Sequence, residues 1–154
     1  MKLNNIVYSF TEFAEAMAKL RNEKHFDYLV TIIGEDFGEE GLGCIYIMEN
    51  TDTHERISVK TIAEKKGDSD VIYSVTALWK SANLMEREVF DFYGIKFLGH
   101  PDMRRLFLRN DFKGYPFRKD FVPEEGYSLE DDKELDYTTQ YSLDADGNLT
   151  EKQV

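Results

Sequence analysis

Ala77-Leu78-Trp79-Lys80-Ser81-Ala82-Asn83-Leu84-Met85-Glu86-Arg87-Glu88-Val89-Phe90-Asp91-Phe92-Tyr93-Gly94 is the stretch on which the fold turns. Leu78, Ala82, Met85, Val89 and Phe92 recur at three- and four-residue spacing, so a helix over about 77–93 carries them as one apolar stripe. Gly94 is placed to end it, because glycine adopts the left-handed conformation of a helix C-terminus at no steric cost. Such a stripe must be buried against something. Apolar, β-branched and aromatic runs at 28–33, 44–48, 57–63 and 71–75, separated by short polar turns, read as strands, and connections this short join largely antiparallel neighbours. Farther upstream, Phe13, Ala16, Met17 and Leu20 mark an amphipathic helix over 11–23, with Ser9 and Glu12 spaced as a capping box. Helix, strands and helix predict an α+β fold: a two-layer domain of a mainly antiparallel sheet with helices on one face, followed by an extended C-terminal arm.

Beyond Gly94 the periodicity fades. Residues 94–122 hold seven basic and three acidic side chains, a local net charge of +4, with Phe107, Phe112, Tyr115, Phe117 and Phe121 interleaved. A segment of this kind cannot bury itself, and its ordering entropy of ~1–2 kcal/mol per residue must be offset by a surface beneath it. A partner surface is the natural candidate. Arg104, Arg105, Arg118 and Lys119 are suited to dock on carboxylates of the domain itself or of another subunit, since arginines and aromatic rings dominate interface energetics. Residues 123–154 then carry ten acidic and two basic groups. The chain thus divides into a core at 1–94, a basic aromatic docking arm at 95–122 and an acidic tail at 123–154.

The 154 residues suit one domain with a short appendage, and 42% hydrophobic residues suffice for a core. A single cysteine, Cys44, excludes an internal disulfide framework and a four-thiolate iron–sulfur cluster. No apolar run approaches the ~20 residues that span a bilayer, and the first residues lack the apolar stretch of a secretory signal. A soluble, cytoplasmic chain is expected. The net charge of −11 argues against broad nucleic-acid binding, and it would repel an RNA strand even from the basic arm.

Catalytic signatures are scarce. There is no GxGxxG, no GxxxxGK[ST] and no GxSxG, so neither a nucleotide cradle nor a nucleophile elbow is supported. Glu88, Asp91, His100 and Asp102 form the one gathering of carboxylates and imidazole, and a free-standing metal-dependent enzyme would have to use them. The simpler reading pairs Arg87 with Asp91 at i,i+4 and lets the helix carboxylates anchor arginines of the arm. His25 and His54 fall at element ends. Asp144-Ala145-Asp146-Gly147-Asn148 partly matches a calcium loop, but that register puts Gln153 where the bidentate carboxylate belongs, so an Asp-Gly turn between two short extended pieces is preferred.

Two blocks together form a specific signature. Glu86-Arg87-Glu88-Val89-Phe90-Asp91-Phe92-Tyr93-Gly94-Ile95, followed by Gly99-His100-Pro101-Asp102-Met103-Arg104-Arg105-Leu106, resembles the 30 kDa subunit family of respiratory complex I, the NADH-quinone oxidoreductase. Asp111-Phe112-Lys113-Gly114-Tyr115-Pro116-Phe117-Arg118-Lys119-Asp120-Phe121 resembles that family's second block at its usual spacing. Met103, Phe107, Tyr115 and Phe117 depart mildly from the residues common there.

The resemblance implies a non-redox scaffold in the peripheral arm of a proton-pumping NADH:quinone oxidoreductase, on the cytoplasmic side of the membrane, packed on the 49 kDa-type large subunit. Flavin, iron–sulfur clusters and quinone would belong to partner subunits, with no cofactor, metal or catalytic residue in this chain. Family signature and interface would fall on Glu86, Arg87, Glu88, Asp91, Gly94, His100, Pro101, Arg104, Arg105, Gly114, Pro116, Arg118, Lys119 and Asp120. Membrane-bound nickel–iron hydrogenases and ferredoxin-dependent complexes carry a similar subunit, so the resemblance leaves the electron donor open.

Overall fold

The computed structural model describes residues 4–123, 140–143 and 149–152. The chain forms two compact units, Met1–Phe121 and Val122–Val154. In the first, β1 (Asn4–Tyr8) leads into α1 (Phe10–Asn22), followed by β2 (Tyr28–Asp36), a 3-10 turn, β3 (Leu42–Glu49) and β4 (Arg56–Ile62). Then come β5 (Glu64–Lys66), β6 (Ser69–Tyr73), α2 (Ala82–Tyr93) and β7 (Lys96–Leu98). One sheet has the order β1-β4-β3-β2, and a smaller one the order β5-β6-β7. Pairing is antiparallel except for β1 with β4 and β6 with β7, which are parallel.

Both helices cover the same face of the larger sheet. Gly34 of β2 lies opposite Cys44 of β3, so it shares a face with Cys44 and Tyr46. Phe13 of α1 meets Tyr46 there, with ring centroids 5.0 Å apart. A Cβ on Gly34 would fall 2.6 Å from the Tyr93 ring and 2.9 Å from Val89 of α2, so glycine permits this close approach of helix to strand. Phe13, Met17 and Leu20 are buried, as the predicted stripe requires, and the Glu12 carboxylate accepts from the Ser9 N–H at 3.3 Å and its hydroxyl at 2.5 Å.

Two expectations need correction here. Helix α2 begins at Ala82 and not near Ala77, because residues 77–81 form tight turns around Trp79, which is buried and donates its indole N–H to the Phe26 carbonyl at 3.2 Å. And the arm's supporting surface is the domain's own, as residues 95–121 lie within the first compact unit. The expected αL stop is present: Gly94 has φ 74° and its N–H reaches the Phe90 carbonyl at 2.8 Å.

In the second unit, β8 (Gln140–Leu143) and β9 (Leu149–Lys152) pair antiparallel, agreeing with two extended pieces flanking a turn. The residues expected to form the Asp-Gly turn, 144–148, and the acidic stretch 124–139 lie outside the described residues.

Candidate functional site

Helix α2 fixes the arm from below. Arg87 and Asp91 stand four residues apart on the helix and both are buried. The expected ion pair between them is not what holds them. Arg87 donates its Nε–H to the Arg104 carbonyl at 3.1 Å and an Nη–H to the Arg105 carbonyl at 3.0 Å. Asp91 Oδ2 accepts the N–H groups of Leu106, Phe107 and Leu108 at 3.1, 2.6 and 2.9 Å. The two side chains thus clamp consecutive carbonyls and amides of one irregular strand, satisfying backbone groups that have no ladder to join.

Arg105 closes the clamp from the arm. One guanidinium nitrogen donates to Asp91 Oδ1 at 2.9 Å and to the Asp91 carbonyl at 3.0 Å, while the other reaches the carbonyls of Phe112 and Gly114 at 3.0 Å each. Burial alone would raise the Asp91 carboxyl, but the three amides and Arg105 outweigh it and hold it below its ordinary value. Arg118 repeats the device farther along, donating to the Tyr93 carbonyl at 2.5 Å and to buried Asp70 at 3.4 Å. Between the two arginines lies the Tyr115 ring, 5.2 Å from the Arg105 guanidinium carbon and 4.9 Å from that of Arg118.

The remaining predicted residues fall into place around this clamp. Gly114 has φ 85°, and a Cβ there would meet the Phe121 ring at 2.9 Å. Lys119 contributes its backbone N–H, bonded to Asp36 Oδ2 at 2.9 Å, while its side chain is exposed. Pro116 is half-buried, and Pro101 and Asp120 are exposed. Arg104 points outward, 71% exposed, and pairs with Asp102 at 3.0 Å. The arginines therefore divide: Arg105 and Arg118 dock on the domain itself, and Arg104 faces solvent.

The four groups that a metal-dependent enzyme would need do not converge. Glu88 is exposed and the Asp91 carboxylate is fully engaged. His100 accepts the Asp102 N–H on Nδ1 at 3.0 Å, so its Nε2 carries the proton and donates to the Asn83 carbonyl at 3.0 Å. Among the described residues no group of three or more His, Cys, Asp or Glu side chains is arranged to hold a metal ion. Cys44 is buried, and desolvation pushes its thiol up, away from the reactive thiolate.

Large apolar side chains also stay outside. Phe92 of α2 is stacked on Phe117 at 4.4 Å and on Phe107 at 5.9 Å, and those two arm rings are 56% and 65% exposed. Leu84 lies exposed two turns before Phe92 on the same helix face. Spacing and composition do not single out Glu86 and Asp70 as buried members of the site. A signal for Glu86 is nonetheless present, since it stands four residues after Ala82 and three before Val89, both in the predicted stripe.

Residues 6–127 match the family described as Respiratory-chain NADH dehydrogenase, 30 Kd subunit. A curated relative from Phocaeicola vulgatus, named as the C/D subunit of NADH-quinone oxidoreductase, is 48% identical over 139 residues, which is 90% of this chain and 27% of the relative. The chain therefore spans about a quarter of the length of that relative. Among solved structures, the trypsin-resistant fragment of Nqo5 superposes with a TM-score of 0.58 at 30% identity, covering 64% of this chain and 80% of that one. A chain of the membrane-bound sulfane sulfur reductase, an archaeal respiratory membrane complex, superposes with a TM-score of 0.69 over 96% of this chain and 86% of that one. At 22% identity that likeness concerns the fold alone.

Proposed function

The chain belongs to the 30 Kd subunit family of respiratory-chain NADH dehydrogenase, and on that premise we propose that it is a non-redox scaffold subunit of a proton-pumping NADH:quinone oxidoreductase. In this reading it sits peripherally on the cytoplasmic side of the membrane, against a 49 kDa-type large subunit that helps form the quinone site. Flavin, iron–sulfur clusters and quinone belong to its neighbours, and the chain assists electron transfer by holding them in fixed geometry. Among the described residues no helix is long and apolar enough to cross a membrane, which accords with a peripheral place.

One observation carries the reading: the strongest charges of the signature are spent on the chain's own backbone. Asp91, Arg87, Arg105 and Arg118 rigidify the arm, and in doing so leave Phe107, Phe117 and Arg104 on its outer side. A surface of aromatic rings and arginine on a pinned backbone loses little entropy on association and is what a protein partner grips.

The test is assembly in the native host. A tagged copy, purified from mildly solubilised membranes, is expected to bring down the large quinone-site subunit in equal amount. Recovery of the chain alone, with the large subunit assembled elsewhere, would overturn the proposal.

A further inference from the structure

Five residues before Asp91, α2 buries a second carboxylate among different neighbours. Glu86 has no exposed surface; its Oε1 accepts the Val75 N–H and its Oε2 the Ser74 hydroxyl, both at 2.7 Å. Among the described residues, the basic side chain within ion-pair distance is His100, whose Nε2 lies 4.0 Å from Oε2 and whose side chain is fully covered. From β3, Cys44 and Tyr46 are buried on the sheet face that α2 covers; burial drives both toward their neutral forms, and the Glu86 charge adds to the effect. The Tyr46 hydroxyl is buried without a partner of ordinary hydrogen-bond geometry, the thiol beside it being a weak one.

This arrangement cannot easily hold a negative charge. For His100 to become the counter-ion, Nδ1 must take a proton and give up the Asp102 N–H it now accepts, which opens the turn that follows β7. Water reaches the carboxylate only if the same seam parts. With a proton on Glu86, neither rearrangement is needed.

We propose that Glu86, with His100 beside it, is a buried single-proton site that sets how tightly residues 98–102, the root of the arm, are held against α2. This goes beyond the scaffold reading and does not depend on it, since no step involves a partner. Burial pushes the Glu86 carboxyl from its ordinary 4.5 up to about 7. The closed seam therefore binds one proton more than the opened one between those values. Its free energy of closing is greatest below pH 4.5, declines as pH rises to about 7 and is level above.

Amide hydrogen exchange on the full chain, corrected for intrinsic rates, reads this directly. Protection of the Val75 and Asp102 amides is expected to be on the order of 100-fold lower at pH 8 than at pH 5. In Glu86→Gln, which cannot ionise, protection should be equal at both pH values. Carbon-13 NMR of the Glu86 carboxyl in the unmodified chain gives a second measurement that needs no variant to fold, with a midpoint expected near neutrality. A midpoint in the ordinary carboxylate range, or the same loss of protection in Glu86→Gln as in the unmodified chain, would overturn the proposal.

Discussion

Helix α2 buries two carboxylates five residues apart, and the two seams they serve are held by opposite means. At the Asp91 seam the carboxylate collects three amides and a guanidinium, and it stays below its ordinary value despite its burial. At the Glu86 seam it collects one amide and one hydroxyl, and burial wins, lifting it to about 7. Neither carboxylate has exposed surface, but Glu86 lies the deeper of the two, so the stronger desolvation there and its fewer, uncharged donors together decide which form each carboxyl takes. The pH responses are consequently opposed. Asp91 contributes stability that is present above its unfolded value and lost as pH falls through its depressed one, whereas the Glu86 contribution is lost as pH rises from 4.5 to about 7. One side of the arm's anchorage is secured by a charge and the other by a proton.

Removing the charge tests the comparison most severely. Asp91→Ala strips four donors of their acceptor and leaves the half-buried Arg105 guanidinium without its counter-ion, so unfolding in urea is expected to show a loss of about 3–5 kcal/mol. A loss under ~1 kcal/mol would mean that the amides find water readily and that the two seams do not differ in kind. A smaller effect, at the same seam, is expected of Gly94→Ala. There φ is 74°, which costs an L-residue ~1–2 kcal/mol, and the new Cβ would lie 2.5 Å from the Tyr115 ring. Displacing that ring removes the aromatic face between Arg105 and Arg118, so thermal unfolding should shift down by several degrees, and exchange at residues 106–108 should quicken.

The sheet and the first helix are legible in the sequence because their partners are apolar and their periods are local. Phe13, Met17 and Leu20 announce their burial by spacing, and Gly94 announces the end of α2 by chemistry. The arm is legible as something that docks, and its two blocks carry the family resemblance, but its target is not readable. Spacing along a helix offers Arg87 only Asp91, whereas folding offers both residues the unpaired backbone of residues 104–108, which no i,i+4 rule contains. β1 escapes a reading of local pattern for a similar reason: its five residues gain their ladder from β4, with Asn4 set against Ile57 across half the domain. Glu86 hides because a charge in a helix suggests solvent, although its neighbours Ala82 and Val89 place it on the buried side.

The mildest substitution sharpens the division between inner and outer arginines. Arg104 and Arg105 are adjacent, but the first uses its backbone carbonyl to receive Arg87 and sends its side chain outward, while the second sends its side chain inward to Asp91. Arg104→Glu keeps the carbonyl, breaks one exposed pair with Asp102 and places two carboxylates near each other in water, which should change stability by no more than ~0.5 kcal/mol. On the outer face, however, the same change reverses an exposed charge of the arm that also exposes Phe107, so recovery of the large subunit from solubilised membranes should fall several-fold while the melting temperature stays put. A substantial drop in melting temperature with recovery intact would show that Arg104 serves the fold as Arg105 does, and the outward surface would then have to be sought elsewhere on the domain.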